Sequence, residues 1–217
     1  LSKGHLDILQ RSKSARSFLP GEPIYHEGAP SDGIHCIAEG MVGIRKLDEA
    51  GNSILLRLSH PGETLGYRSL LAGGDHRTTA EALAPSTICF IDQRTVWHLL
   101  KSDPAIGLRF LQHAAHDLDS AEDKALQSAT LTVRGRLAHL LLVFRERYAI
   151  AEDEDGFDLQ LPLSRQDLAA MIGIRPESMS RTIRHLHDNG VAKFAGRRVH
   201  IPSVEVLLGE LDAGKMG

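Results

Sequence analysis

Apolar residues recur at helical spacing in two short runs near the carboxyl end of the chain. Within 163–202 these runs are Leu168, Met171 and Ile172, followed by Met179, Ile183 and Leu186. Ser164 and Asp167 have the spacing of a capping box before the first run, and Gly173 between the runs tolerates positive φ. Pro176 suits the first turn of a second helix, which ends at Gly190. The pattern therefore predicts a helix-turn-helix.

Alternating residues predict a two-stranded wing after the second helix. Its strands cover about 191–194 and 198–201, and a basic turn joins them. The polar face of the second helix suits base edges in a major groove, whereas the basic wing suits phosphates. The residues predicted to contact DNA are Glu177, Ser178, Ser180, Arg181, Arg184, Lys193, Arg197 and Arg198. A helical hairpin with a solvated charged face is the alternative interpretation.

Short, alternating apolar segments occupy the chain between about residues 15 and 95, with glycine and proline between them. Turn residues at this spacing, together with the hairpin signal at Gly51 and Asn52, predict an antiparallel sandwich or barrel. A β-rich domain is therefore expected in the first half of the chain.

One long helix is predicted from 103 to 129, because small and apolar residues there alternate at steps of three and four. The residues of this seam are Leu111, Ala114, Leu118, Ala121 and Ala125. We interpret the seam as a dimer interface; packing against the β-rich domain is the alternative. The expected fold class is α+β, with a sensory β-roll domain over 1–102, a dimerisation helix over 103–132 and a winged helix-turn-helix domain over 133–217.

Positive charge is concentrated in the segment predicted to bind DNA. The whole chain has a formal net charge of −3 at pH 7, but basic residues outnumber acidic ones within 163–202. Such a local basic surface attracts the phosphates of DNA. The stretch 151–158, AEDEDGFD, is expected to be a solvated acidic loop that phosphate repels. Since no apolar run is long enough to span a bilayer, no membrane partner is expected.

The run 166–181, QDLAAMIGIRPESMSR, resembles the helix-turn-helix of the cyclic-AMP receptor protein and fumarate-nitrate regulator (CRP/FNR) superfamily of bacterial transcription factors. Glu177, Ser180 and Arg181 match the Glu-x-x-Ser-Arg pattern of its FNR-like branch, which the resemblance implies reads TTGAT half-sites. Pro176 stands where the cyclic-AMP branch often has a DNA-contacting arginine, so that contact is expected to be absent. The resemblance further implies a homodimer that binds double-stranded DNA and works with RNA polymerase.

The segment 62–80, GETLGYRSLLAGGDHRTTA, resembles the phosphate-binding cassette of the same superfamily's cyclic-nucleotide-binding β-roll. The resemblance implies a small-molecule effector site that includes Gly66, Tyr67, Arg77 and Thr78. Arg77 and Thr78 match the arginine and hydroxyl that hold a cyclic phosphate. Tyr67 replaces the glutamate that accepts from the ribose, so cyclic AMP is not favoured. A degenerate cassette, in which Arg77 is a surface residue, is the alternative.

Cys36 and Cys89 are the only cysteines in the sequence. Two distant cysteines indicate a reducing, cytoplasmic compartment rather than a disulfide framework. They cannot supply the four thiolates of an iron–sulfur cluster, which is disfavoured unless further cysteines precede Leu1. Both are expected to be buried, inert thiols.

The sequence contains twelve histidines, which could serve as haem ligands, so the identity of any cofactor is left open. Those considered as haem ligands are His26, His35, His76, His113 and His116, but no tight spacing predicts a haem or metal site. No nucleophile, base and acid form a recognisable arrangement, so an enzyme is not expected. A haem or other ligand sensor with secondary DNA binding, and a cyclic-nucleotide-responsive regulator, are the alternative functions.

Overall fold

The computed structural model describes residues 13–49 and 51–212. The chain divides between Asp119 and Ser120 into two compact units, called here the N-terminal and C-terminal units. The dividing point lies within the predicted dimerisation helix, and the division into domains at 102 and 132 remains a prediction. Residues 1–12 and 213–217 of the predicted outer domains lie outside the described residues.

Antiparallel strands build most of the N-terminal unit. In chain order they are β1 (Ser14–Phe18), β2 (Pro23–Tyr25), β3 (Gly33–Glu39), β4 (Val42–Leu47), β5 (Ser53–Ser59), β6 (Thr64–Leu65), β7 (Thr79–Ala82) and β8 (Ser86–Asp92). They form two four-stranded sheets, in the orders β1-β8-β3-β6 and β2-β7-β4-β5. Apolar side chains from both sheets, among them Ile37, Val42 and Ala80, meet in a shared core. The predicted β-roll is confirmed.

Two of the three helices described for this unit begin at an aspartate that caps them. The three are α1 (Tyr67–Ala72), α2 (Gln93–Ser102) and α3 (Pro104–Thr130), the last of which continues beyond the dividing point. Asp92 begins α2, because its Oδ1 accepts a hydrogen bond from the Thr95 amide at 3.0 Å. Asp103 begins α3 in the same way through the Ala105 amide, at 3.1 Å. The long helix predicted over 103–129 is therefore present.

A second apolar cluster lies on the other face of the sheet that contains β3 and β8. It consists of Ile34, Tyr67, Leu70, Ile91 and Val96, with Cys36, Leu100, Phe110 and Ala114 packed against it. Because alternate residues of a strand face opposite sides, Ile34 belongs to this cluster while Ile37 belongs to the core of the roll. The cluster fixes α1, α2 and the start of α3 to the sheet.

Helices and a small sheet form the C-terminal unit. Its elements are α4 (Val133–Tyr148), β9 (Ala149–Glu152), β10 (Phe157–Gln160), α5 (Arg165–Met171), α6 (Pro176–Asp188), β11 (Lys193–Ala195), β12 (Arg198–Ile201) and α7 (Val204–Asp212). The strands pair in the order β11-β12-β10-β9. The predicted winged helix-turn-helix is thus present, but its wing is half of a four-stranded sheet. Among the described helices, none combines the length and apolar character that crossing a bilayer requires.

The acidic stretch 151–158 is exposed from 151 to 155, as its charge suggested, but it is not wholly a loop. Its ends belong to β9 and β10, and Phe157 is buried in the unit's core. Only the turn between the strands is irregular, and there Asp153 Oδ1 accepts hydrogen bonds from the amides of Asp155 and Gly156, at 3.1 Å and 2.6 Å. Gly156 passes so close to the Ile201 carbonyl that a Cβ would lie 2.2 Å from the oxygen. The charge count missed this pairing because the partner strand lies about forty residues later in the chain.

Candidate nucleic-acid interface and effector pocket

The first helix of the helix-turn-helix begins at a complete capping box. Ser164 Oγ accepts from the Asp167 amide at 3.1 Å, and Asp167 Oδ2 accepts from the Ser164 amide at 3.3 Å and from its hydroxyl at 2.6 Å. Gly173 turns the chain after α5 with φ +67°, where a side chain would be strained. The capping and turn residues predicted from the sequence therefore have the roles expected of them.

Helix α6 presents one apolar and one polar face. Met179, Ile183 and Leu186 are buried, and Thr182 beside them donates from its hydroxyl to the Ser178 carbonyl at 2.9 Å. The opposite face is exposed and carries the predicted contact residues Glu177, Ser180, Arg181 and Arg184, with Ser178 half-buried at its edge. The predicted residues of this helix thus share one accessible surface.

Two hydrogen bonds order that surface. Arg181 Nη2 donates to Ser178 Oγ at 3.2 Å, and Ser180 Oγ donates to the Pro176 carbonyl at 3.2 Å. Both bonds are exposed, so a base edge can replace the first of them at little cost. Since the Ser180 hydroxyl donates within the helix, it suits van der Waals contact with a base rather than donation to one.

The wing places its three predicted basic residues in exposed positions, but not in equal surroundings. Arg198 Nη2 donates to Asp158 Oδ2 at 2.7 Å, and His200 Nδ1 lies 2.7 Å from the other oxygen of that carboxylate. These contacts, first with Arg198 and then with His200, hold the pKa of Asp158 below its usual value. Lys193 and Arg197 have no ion-pair partner in the part of the chain that the structure describes. Arg198 must therefore exchange Asp158 for phosphate if it contacts DNA.

Sequence reasoning missed a cluster that fixes the base of α6. Arg134 of α4 contacts His185 Nε2 and also pairs with Glu210 of α7, its Nε lying 3.5 Å from Oε2. The cluster joins three helices whose members are distant in sequence. Nothing in the sequence spacing relates these three residues, so no local signal could have found the cluster.

In the N-terminal unit, the four predicted effector residues line one cavity of about 600 Å³. Gly66, with φ +80°, begins α1, and Arg77 and Thr78 lie immediately before β7. Sequence reasoning missed the remaining charged and aromatic residues of the lining: Tyr25, Lys46, Arg57, Arg68 and Asp75. Basic side chains thus come from β4 and β5 as well as from the cassette, which contains α1. The cavity suits an anion.

Tyr67 does not take over the role of a ribose acceptor. Its side chain is buried, its ring stacks on Phe110 with 5.4 Å between centroids, and its hydroxyl donates to Asp117 Oδ2 at 3.0 Å. Burial and the nearby Asp117 carboxylate raise the pKa of Tyr67 to about 12. The hydroxyl is therefore a donor engaged with Asp117 of α3, a contact that the sequence did not indicate.

His76 of the cassette and His35 of β3 both pack against Tyr25. His76 is buried and stacks on Tyr25 with 3.8 Å between ring centroids, and His35 lies between Tyr25 and Phe90 at 5.3 Å and 5.0 Å. Burial, and then the charge of His76, lower the pKa of His35 to about 4; burial also lowers the pKa of His76. The predicted candidates His26, His113 and His116 are exposed. No group of three or more metal-ligating side chains occurs among the described residues.

Cys36 and Cys89, distant in sequence, are direct partners across β3 and β8. Both are free thiols and half-buried, rather than fully buried as expected. Burial raises the pKa of Cys36, which weakens it as a nucleophile.

Two family models match the chain. Residues 15–103 match the cyclic nucleotide-binding domain, and residues 135–209 match the Crp-like helix-turn-helix domain. The first match contains the cavity, and the second contains the capped helices and the wing. One match lies in each unit, and neither includes the long helix α3.

Curated proteins and solved structures agree with these models. The transcriptional activator protein FnrL of Cereibacter sphaeroides is 24% identical over 199 residues, covering 89% of this chain and 78% of that protein. The cAMP-activated global transcriptional regulator CRP of Salmonella typhimurium is 24% identical over 177 residues, covering 81% and 83%. The structure of FixK2 from Bradyrhizobium japonicum superposes with a TM-score of 0.77 at 26% identity, covering 91% of this chain and 96% of the other.

Proposed function

Since the chain belongs to the CRP/FNR superfamily of DNA-binding transcription regulators, we propose that it is a homodimer that binds a TTGAT-type palindrome and responds to an anion sensed by its β-roll. RNA polymerase is the partner on which such a regulator acts, and the cytoplasm is its compartment. DNA binding and regulation, rather than catalysis, are the activity of this chain.

The observation that carries the proposed half-site is the shared exposed face of Glu177, Ser180 and Arg181 on α6. Arg181 has the reach and the paired donors to bind O6 and N7 of a guanine. Glu177 accepts from the exocyclic amine of a cytosine, and Ser180 contacts the neighbouring thymine. These roles match the Glu-x-x-Ser-Arg pattern of the FNR-like branch.

The proposed dimer uses α3. Leu111 and Leu118 are 67% and 59% exposed, and Ala121 and Ala125 of the same seam are also exposed. Exposed leucines along one helix face favour a partner helix, and a palindrome requires a two-fold axis. Ala114, also a residue of the predicted seam, is half-buried against the apolar cluster of the roll and therefore packs inside the protomer as well. Leu108 and Leu126, which the sequence pattern did not select, add to the exposed apolar surface.

The experiment is fluorescence anisotropy on a TTGAT-NNNN-ATCAA duplex and on a duplex with both half-sites scrambled, at several salt concentrations. Arg181→Ala should lose about 1–3 kcal/mol of binding free energy on the first duplex and little on the second. Arg197→Ala should weaken both duplexes equally and reduce the salt slope by about one. Arg109→Ala, which removes an exposed arginine from the N-terminal unit, is the matched control.

Equal behaviour of Arg181→Ala and Arg197→Ala would contradict the division between base and phosphate contacts. If the wild-type protein bound both duplexes equally, with and without an added phosphate anion, the proposed half-site would be wrong. Sedimentation of the protein at micromolar concentration tests the dimer separately, because Leu111→Glu with Leu118→Glu should yield monomers.

A further inference from the structure

The cavity of the N-terminal unit contains two groups of anion-binding side chains. Arg77 and Thr78 form the first, in the cassette. Arg57 of β5 and Arg68 of α1 form the second, and both also line the cavity. A cyclic mononucleotide has a single anionic group, and the first pair of side chains suffices to bind it. The second pair has no role in such a complex.

A carboxylate of the protein itself occupies the second group. Asp117 of α3 lies in a small cleft that adjoins the cavity and shares Arg57 and Tyr67 with it. Its Oδ1 is 3.5 Å from Arg57 Nη1, and its Oδ2 is 3.9 Å from Arg68 Nε. The Tyr67 hydroxyl donates to the same carboxylate. One acidic side chain on the long helix therefore engages three side chains of the effector site.

The ion pairs of Asp117 with the two arginines are partly exposed to solvent, so another anion can replace the carboxylate. The side chain of Asp117 is 18% exposed, whereas those of Arg57 and Arg68 are 30% and 51% exposed. Ion pairs that retain this much solvent contribute little each, so a ligand anion can compete for the arginines. Arg57 also lies 3.4 Å from Glu63, which leaves it a partner during the exchange.

We propose that the effector carries two anionic groups, the first bound by Arg77 and Thr78 and the second by Arg57 and Arg68 in exchange for Asp117. This inference rests on the proposed function in taking the cavity as the sensory site. Binding of the second group releases Asp117 and with it a polar attachment between α3 and the effector site. The ligand class is a diphosphate or another small molecule with two anionic groups, rather than a cyclic mononucleotide.

Isothermal titration calorimetry of the full chain, without DNA, tests the proposal with inorganic pyrophosphate and with orthophosphate at one ionic strength. Wild-type protein should bind pyrophosphate more tightly than orthophosphate. Asp117→Asn keeps the shape of the side chain but removes its negative charge from both arginines, so pyrophosphate affinity should rise about fivefold to tenfold. Asp119→Asn, which removes an exposed charge from the same helix, is the matched control and should match the wild type.

Arg57→Gln should remove the preference for pyrophosphate and leave the orthophosphate affinity within twofold of the wild type. The proposal is overturned if the wild type and Asp117→Asn bind the two anions equally, or if Asp117→Asn and Asp119→Asn have the same pyrophosphate affinity. Since the titration contains no DNA, failure of the proposed half-site leaves its outcome unaffected. Conversely, loss of the pyrophosphate preference would leave the DNA contacts of α6 as proposed.

Discussion

Acid should destabilise the β-roll through His35. The pKa of this side chain is about 4 in the folded protein, against 6.5 in an unfolded chain, because burial and His76 oppose its charge. The unfolded state therefore binds more protons between these two values, and stability falls as the pH drops from about 6.5 toward 4. Linkage over this interval predicts a loss of about 2 kcal/mol between pH 7.5 and pH 5.

The assay is urea denaturation followed by the fluorescence of Trp97, the only tryptophan in the sequence, which lies on α2 of the N-terminal unit. His35→Gln removes the titrating group, so its free energy of unfolding should fall by about 2 kcal/mol less than that of the wild type over the same interval. His26→Gln replaces an exposed histidine just after β2 and serves as the control. The contribution of His76 is common to all three proteins. Equal losses in the three would refute the assignment to His35.

Three further predictions concern the C-terminal unit. Ser164→Ala removes the hydroxyl that accepts from the Asp167 amide, so the free energy of unfolding should fall by about 1 kcal/mol. Urea denaturation followed by far-ultraviolet circular dichroism measures this loss. A loss below about 0.3 kcal/mol would mean that the cap is dispensable. Met179→Ala leaves a cavity at a fully buried position of α6 and should lower the free energy of unfolding by about 2–5 kcal/mol in the same assay. A smaller loss would show that the surrounding side chains close the cavity. Asp158→Asn frees Arg198 and should tighten binding to the scrambled duplex, with a steeper salt dependence; unchanged anisotropy would contradict a phosphate contact by Arg198.

Local signals made the helix-turn-helix predictable. Its start, turn and end depend on residues within a few positions of one another, such as Ser164 with Asp167, and Gly173 after the first helix. Apolar spacing then selected the buried face of α6 without any knowledge of the rest of the unit. The β-roll was predictable for the same reason, because alternation and turn residues are local properties of each strand.

Contacts between distant segments were not predictable. Tyr67 and Asp117 are 50 residues apart, and Arg134 and His185 are 51 apart. Neither separation is a helical or strand repeat, so the sequence does not indicate that the two residues of a pair are in contact. The separation of Cys36 and Cys89 likewise gave no sign that the two strands place them side by side. Charge alone also missed the strand at the end of 151–158, where Phe157 is buried and pairs with Ile201 of β12.

The pairing of β1 with β8 also sets an order of events during synthesis. Ser14 is paired with Phe90, so β1 waits for a strand that emerges more than seventy residues later. Strand β8 pairs with β3 as well, so both neighbours have an unpaired edge until it arrives. Closing a loop of this length precedes the gain from its contacts, which makes closure slow. The effector cavity depends on this step, because Tyr67 of its lining packs in the same apolar cluster as Ile91 of β8.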